Sequence, residues 1–253
     1  MSRPFILITN DDGFDAPGLH ALTEAISSLG RILVAAPDRE QSGMSHALTL
    51  ERPLRAHQVS PDRFRIDGTP TDCVHLAVDR LCDRLPDLVL SGINRGLNVG
   101  DDITYSGTVA GALEGALLHI PAMAISTATG GDGSIDYVQA ADYALQLAQR
   151  ILSDGLPGGG LLNLNVPREP AQGVRVTRQG SRDYRATAIE RKDPTGRPYY
   201  WIDTIDMTPK GEPDGDHLAL ADGYVSVTPL HPNLTHETSL APLRGWFDDS
   251  GEN

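Results

Sequence analysis

Asn10-Asp11-Asp12-Gly13 sets two adjacent carboxylates directly after the apolar run Phe5–Ile8. A buried strand that ends in acid has put charge where it must be solvated or neutralised. Two later segments repeat the pattern of an apolar run that breaks into polar residues: Ile32–Ala36 leads through Pro37-Asp38 to Ser42-Gly43, and Leu88–Leu90 leads to Ser91-Gly92-Ile93-Asn94. If these runs are neighbouring parallel strands, Asp11, Asp12, Ser42 and Asn94 meet at one end of a sheet, where open α/β folds bind their ligands. Such a set offers oxygen donors only, which suits Mg²⁺, Mn²⁺ or Ca²⁺ rather than zinc. Gly13 lets the chain turn away sharply after the acids. Ser106-Gly107-Thr108 then opens a small-residue helical stretch whose first N–H groups and hydroxyls form an anion site. A hard cation beside a helix N-terminus is a seat for phosphate, and the chemistry implied is hydrolysis by a polarised water.

Each segment alone has a plainer reading. Asp-Asp-Gly is a common turn, Asp12 could cap the next helix, and Ser42 and Asn94 sit among glycines as turn residues do. Ser106 is by default an N-cap. Only their joint placement at strand ends favours a site. The eight histidines show no HExxH or paired spacing, and His46, near the 38–43 loop, is the one that stays a candidate. Tyr199, Tyr200 and Trp201 could stack a base, but packing in a hairpin or across a subunit contact is the better expectation. No GxGxxG follows the first strand and no GxxxxGK[ST] occurs, which weighs against dinucleotide oxidoreductases and P-loop NTPases.

The elements that must position these residues alternate. A helix starts at Asp15-Ala16-Pro17 and buries Leu19, Leu22, Ile26 and Leu29 before Gly30; short strands are expected near 47–57 and 63–67; Thr69-Pro70-Thr71-Asp72 caps a helix running to about Leu81. "SGTVAGALEGALLHI" reads as a close-packing helix, "PAMAIS" as a strand, Val138–Leu152 as an amphipathic helix and "LLNLNVP" as a strand. This order predicts an α/β fold with a mostly parallel sheet and helices on both faces over residues 1–170. Residues 171–253 read as a β-rich region: a hairpin with Asp193-Pro194-Thr195-Gly196 at its tip, then "GYVSVTPL" as a late strand returning to the core. A lone hairpin is too small to be stable, so the arm is expected on its own body or on a neighbouring subunit.

The 34 acids against 21 bases give a net charge of −13 with no basic cluster, which disfavours nucleic-acid polymers and anionic membranes as partners. Cys73 and Cys82 lie outside zinc and redox spacings and are expected as thiols in a reducing compartment. Without an apolar leader or a run long enough to span a bilayer, the expected location is the cytoplasm.

"ILITNDDGFDAPGL", "VAAPDREQSGMSHALTL", "GTPTDCVHLA", "PDLVLSGINRGLNVGDDITYSGTVAGALEGA" and "GYVSVTPLHPNLT" resemble, in order and spacing, the survival protein SurE family of nucleotidases. The resemblance implies a Rossmann-like core and a divalent-metal-dependent phosphatase, with one Mg²⁺ or Mn²⁺ per subunit. Its substrates would be nucleoside 5′- and 3′-monophosphates and, in some members, short polyphosphate. It also implies a homodimer or homotetramer built through the C-terminal arm. Carried over by position, Asp11, Asp12, Ser42 and Asn94 would hold the metal, Asp11 and Asp12 would be catalytic, and Asn10, Asn94, Ser106, Gly107 and Thr108 would hold substrate. Some relatives carry an acid where this chain has Asn233, and their following histidine is placed differently from His236, so no role is assigned to that segment. The competing expectation is a nucleotide- or metal-binding regulator that uses the same site without turnover.

Overall fold

The computed structural model describes residues 3–209 and 212–248. Nine strands form one sheet in the order β3-β4-β2-β1-β5-β6-β7-β11-β8. These are β1 (Phe5–Thr9), β2 (Arg31–Pro37), β3 (Ala56–Ser60), β4 (Arg63–Ile66), β5 (Leu88–Arg95), β6 (Ala122–Thr127), β7 (Leu161–Val166), β8 (Val174–Val176) and β11 (Val225–Leu230). All neighbours are parallel except β3 on β4 and β11 on β7. The chain leaves central β1 for β2 on one side and returns to β5 on the other, so the topological switch lies between β1 and β5.

Alternation along β1 sets the layers. Ile6 and Ile8 face one cluster with Leu19, Leu22 and Ile26 of α1 (Pro17–Ile26) and Ala140, Ala144, Ala148 and Ile151 of α4 (Tyr137–Asp154). Phe5 and Leu7 face the other, with Cys73 and Val74 of α2 (Pro70–Leu76) and Val109, Ala112 and Ala116 of α3 (Gly107–Leu117). Helices on both faces of a mostly parallel sheet match the sequence expectation. The small residues of α3 allow close approach: a Cβ on Gly111 or Gly115 would stand 2.8 Å from Ser91 or Val89 side-chain atoms of β5.

Two segments depart from expectation. Of the expected 47–57 strand only Ala56 and His57 pair, at the start of β3. The reason is α2: Thr69 and Asp72 form its capping box, and Asp72 also accepts the Thr49 N–H at 2.8 Å and the Thr49 hydroxyl at 2.6 Å. With Thr69 Oγ1 donating to Ala47 O at 2.7 Å, the 47–49 backbone is tied to a helix end rather than to a strand. The second departure is helical: α5 (Asp216–Ala221) and α6 (Glu237–Asp248) lie in a stretch that reads as β-rich. Pro242 inside α6 obscures its periodicity, and α5 is short, held because Asp216 accepts N–H groups from Gly100, Gly180 and His217.

The hairpin forms a separate two-stranded sheet of β9 (Arg182–Lys192) and β10 (Pro198–Pro209). Its tip closes where expected: Asp193 Oδ1 accepts the N–H groups of Thr195 and Arg197 at 2.8 and 2.9 Å. Neither cysteine is in a disulfide; burial pushes the Cys73 thiol well above its usual range and Cys82 to about 11. Among the described residues no helix is long and apolar enough to cross a membrane.

Candidate active site

Adjacent β2, β1 and β5 bring their C-terminal ends together, as the sequence argument required. Asp11 follows β1 and is 4% exposed. Its backbone carbonyl accepts the Gln41 N–H at 2.8 Å, which holds the loop after β2 against the loop after β1. Its Oδ1 accepts a hydrogen bond from the Thr108 hydroxyl, and Gly107 presses on the same carboxylate so tightly that a Cβ there would lie 2.8 Å from Asp11 Cβ. Three separate chain segments therefore meet at one acid. Burial pushes the Asp11 carboxyl up to about 6, with the neighbouring Asp12 charge adding to the rise against the Thr108 bond.

Asp12 is half-buried and accepts the Arg95 backbone N–H at 3.2 Å. Burial raises its pKa as well, the Arg95 bond opposing this. Ser91 to Asn94, read as a loop from sequence, remains within β5, with a register shift against β6 between Ser91 and Asn94. Gly92 makes this irregularity possible: at φ +141° its missing Cβ would fall 2.4 Å from Ile125 O. Asn94 Nδ2 donates to Gly96 O at 2.9 Å, so Oδ1 is its oxygen left for a ligand.

The other expected residues are placed as follows. Asn10 is fully buried, Nδ2 donates to Gly13 O at 2.9 Å, and its Oδ1 has no hydrogen-bond partner among the described residues. Ser106 caps α3, Oγ accepting the Val109 N–H at 3.1 Å. Ser42 is exposed, and its hydroxyl donates to Glu40 at 3.0 Å rather than pointing at an Asp11 or Asp12 oxygen.

Sequence reasoning missed two supporting networks. Asn98 N donates to Asn165 Oδ1 at 2.8 Å, its Nδ2 to Ser126 Oγ at 2.8 Å, and its carbonyl accepts from Asn163 and Asn165. This buried cluster anchors the chain between Asn94 and Ser106; the asparagines in "LLNLNVP" were its only trace in the sequence. The second is a bridge in which Glu114 of α3 accepts His46 Nε2 and His75 Nδ1, each at 2.9 Å. Burial pushes Glu114 up, but the two histidine bonds outweigh it and hold the carboxyl below its ordinary value. His46, kept open above, is thus oriented by a carboxylate on the helix whose N-terminus meets Asp11.

The donor set fits a hard divalent cation. Among the described residues neither Asp11 nor Asp12 is in an ion pair with Lys, Arg or His, and Asn10 Oδ1 beside them is unpaired. No group of three or more His, Cys, Asp or Glu residues arranged for metal occurs among the described residues, so such a site would draw on the aspartate pair with hydroxyl and amide oxygens.

The chain is similar to known proteins over nearly its whole length. The family model described as "Survival protein SurE" matches residues 6–186. A "5'-nucleotidase SurE" of Geotalea daltonii is 51% identical over 95% of this chain and 98% of the relative, and one of Halorhodospira halophila is 47% identical over 96% and 98%. A crystal structure of the SurE protein from Aquifex aeolicus superposes with a TM-score of 0.85 at 43% identity, covering 97% of this chain and all of that one. The chain belongs to the survival protein SurE family.

Proposed function

We propose that this protein is a divalent-metal-dependent nucleotidase that hydrolyses nucleoside 5′-monophosphates, with 3′-monophosphates and short polyphosphate as further substrates. The relatives named 5'-nucleotidase SurE support nucleotidase activity. The observation that carries the reading on this chain is the meeting of Asp11 with Thr108 and Gly107 at the start of α3, an acid pair set against an anion-binding helix end.

In this reading Asp11, Asp12, Ser42 and Asn94 hold one Mg²⁺ or Mn²⁺, Ser42 turning its hydroxyl away from Glu40 to do so. The bound cation supplies a polarised water and neutralises charge on the phosphoryl oxygens. Thr108 keeps one Asp11 oxygen oriented through its hydroxyl, so its contribution to phosphate comes through its N–H beside those of Gly107 and the hydroxyl proton of Ser106. Asn10 positions the turn by donating Nδ2 to Gly13 O. Asp11 or Asp12 attacking phosphorus directly would leave a hydroxylamine-sensitive phosphoenzyme, which trapping distinguishes from water attack.

Residues 1–170 form the metal- and phosphate-binding core in this proposal, and 171–253 the oligomer-forming region of a cytoplasmic homodimer or homotetramer. Support for that division is the exposed apolar surface of the C-terminal part: Tyr200, Trp201 and Ile202 on β10, with Trp246 and Phe247 on α6. The functional test is phosphate release from nucleoside monophosphates with Mg²⁺ or Mn²⁺, with and without EDTA. Release that EDTA stops is expected; nucleotide binding without release would instead identify a regulator.

A further inference from the structure

Asp216 is a fully buried acid that the proposed chemistry does not use. It opens the short helix α5, yet its carboxylate reaches two distant segments. Oδ2 accepts the Gly100 N–H at 2.8 Å, while Oδ1 accepts the N–H groups of Gly180 at 3.2 Å and His217 at 2.8 Å. The His217 ring lies against the same acid, with Nδ1 2.9 Å from Oδ1. Gly180 permits the approach, since a Cβ there would stand 2.8 Å from Asp216 Oδ1. Burying a carboxylate is costly, so a bond spent on a segment outside α5 calls for a reason beyond holding that helix.

Gly100 supplies the reason. Its N–H goes to Asp216 and its carbonyl accepts Gln179 Nε2 at 3.0 Å, so both of its polar groups are held from outside its own turn. Gln179 and Gly180 lie just before β9, at the base of the hairpin. Gly100 itself, at φ +55°, opens a 3-10 turn (Gly100–Thr104) in which the Tyr105 N–H closes on Asp102 O at 3.0 Å. The far end of the turn is tied as well: the Thr104 carbonyl accepts the Ser45 hydroxyl at 2.7 Å, and the Tyr105 carbonyl accepts the Ser45 N–H at 3.1 Å. Ser106 follows as the cap of α3, and Gly107 and Thr108 meet Asp11. A short hydrogen-bonded turn passes a shift at Gly100 on to Ser106 instead of absorbing it, and small misplacements of groups that hold a reacting phosphate are expensive.

We propose that Asp216 is a positioning residue for the phosphate-holding end of α3: by taking the Gly100 N–H it fixes the turn that delivers Ser106, Gly107 and Thr108 to Asp11. The proposal rests on the nucleotidase reading for what that end holds, and its test separates the two. Asparagine offers one acceptor oxygen. Pointed at Gly180 and His217, it keeps α5 and sets its NH2 against the Gly100 N–H, so Asp216→Asn cuts the tie to the turn. Wild type, Asp216→Asn, Gln179→Ala and, as a control, Ile151→Val in α4 on the opposite face of the sheet from α3 are compared. Three quantities are measured: backbone hydrogen exchange of peptides covering 99–109 by mass spectrometry, kcat and KM on adenosine 5′-monophosphate, and Mn²⁺ affinity by calorimetry.

Asp216→Asn is expected to speed exchange over 99–109 roughly tenfold and to lower kcat by a similar factor, with Mn²⁺ affinity within about twofold of wild type. Gln179→Ala should shift exchange in the same direction by less, and Ile151→Val should leave exchange there and kcat unchanged. Unchanged exchange in Asp216→Asn, faster exchange with unchanged kcat, Mn²⁺ affinity lost in step with kcat, or the same changes in Ile151→Val would each overturn the proposal. If Asp216→Asn does not fold, Gln179→Ala carries the test, and unchanged exchange in it overturns the proposal. If wild type releases no phosphate, the nucleotidase reading fails, and exchange together with calorimetric binding of inorganic phosphate in Mn²⁺ decides the positioning.

Discussion

Two buried carboxylates touch the same helix and end in opposite electrostatic states. Glu114, on α3, lies between His46 and His75 and is held below its ordinary pKa; Asp11, against the first residues of α3, has a hydroxyl and another acid for company and rises to about 6. Both are about 5% exposed, so depth is not the difference. What differs is the company: two imidazole nitrogens hydrogen-bond Glu114, and no cationic side chain is paired with Asp11 among the described residues. A buried acid left uncompensated beside one that is satisfied is what the proposed cation site requires. Glu114 ties the 38–55 segment, α2 and α3 together, and in the proposed function Asp11 is the group held at a stability cost.

The strongest way to break this comparison is turnover. Asp11→Asn keeps the oxygen that accepts the Thr108 hydroxyl but removes the charge, and it should lower phosphate release about a thousandfold. Activity within a few-fold of wild type would remove Asp11 from the chemistry.

Next is the cost itself. A carboxyl raised from 3.8 to about 6 takes up protons more readily when folded, so metal-free stability should fall as pH rises from about 4 to about 6 and then level off. The full drop corresponds to about 3 kcal/mol, and Asp11→Asn should abolish it, making the metal-free variant more stable than wild type at pH 8 in urea unfolding. Added Mg²⁺ or Mn²⁺ should stabilise wild type increasingly through this same pH range, because binding requires the carboxylate. A flat metal effect would contradict the assignment.

Glu114 should behave in the opposite sense. Glu114→Ala, which strands His46 and His75, is expected to lower stability by about 2 kcal/mol. The smallest effect is the pH dependence of this tie: with the folded pKa depressed, its contribution is present above about 4.5 and is lost as pH falls through the folded value. The stability gap between wild type and Glu114→Gln should therefore shrink on acidification. A gap that widens would reverse the sign argued here.

Legibility in the sequence followed the range of the interactions. The alternating runs and caps gave the central elements, because Phe5–Ile8, Leu33–Ala36 and Leu88–Leu90 are buried on both faces and Thr69-Pro70-Thr71-Asp72 caps locally. The 47–57 segment was misread because Thr49 satisfies its backbone through Asp72, 23 residues away, which no local pattern encodes. Likewise α5 is held by Asp216 contacts to Gly100 and Gly180. The site candidates were legible as residue types at strand ends, but the Thr108–Asp11 bond, the Asn98 cluster and the Glu114 bridge join positions 28 to 97 residues apart.

The amino-acid order alone determined that strand ends carry the acids and that a small-residue helix begins with Ser-Gly-Thr, because periodicity and capping act over a few residues. Tertiary structure decided which acid stays uncompensated, that Thr108 serves Asp11, and that Ser42 faces Glu40. Those outcomes depend on burial and on partners brought in from distant segments, and desolvation exists only once the sheet and its helices have closed around the group.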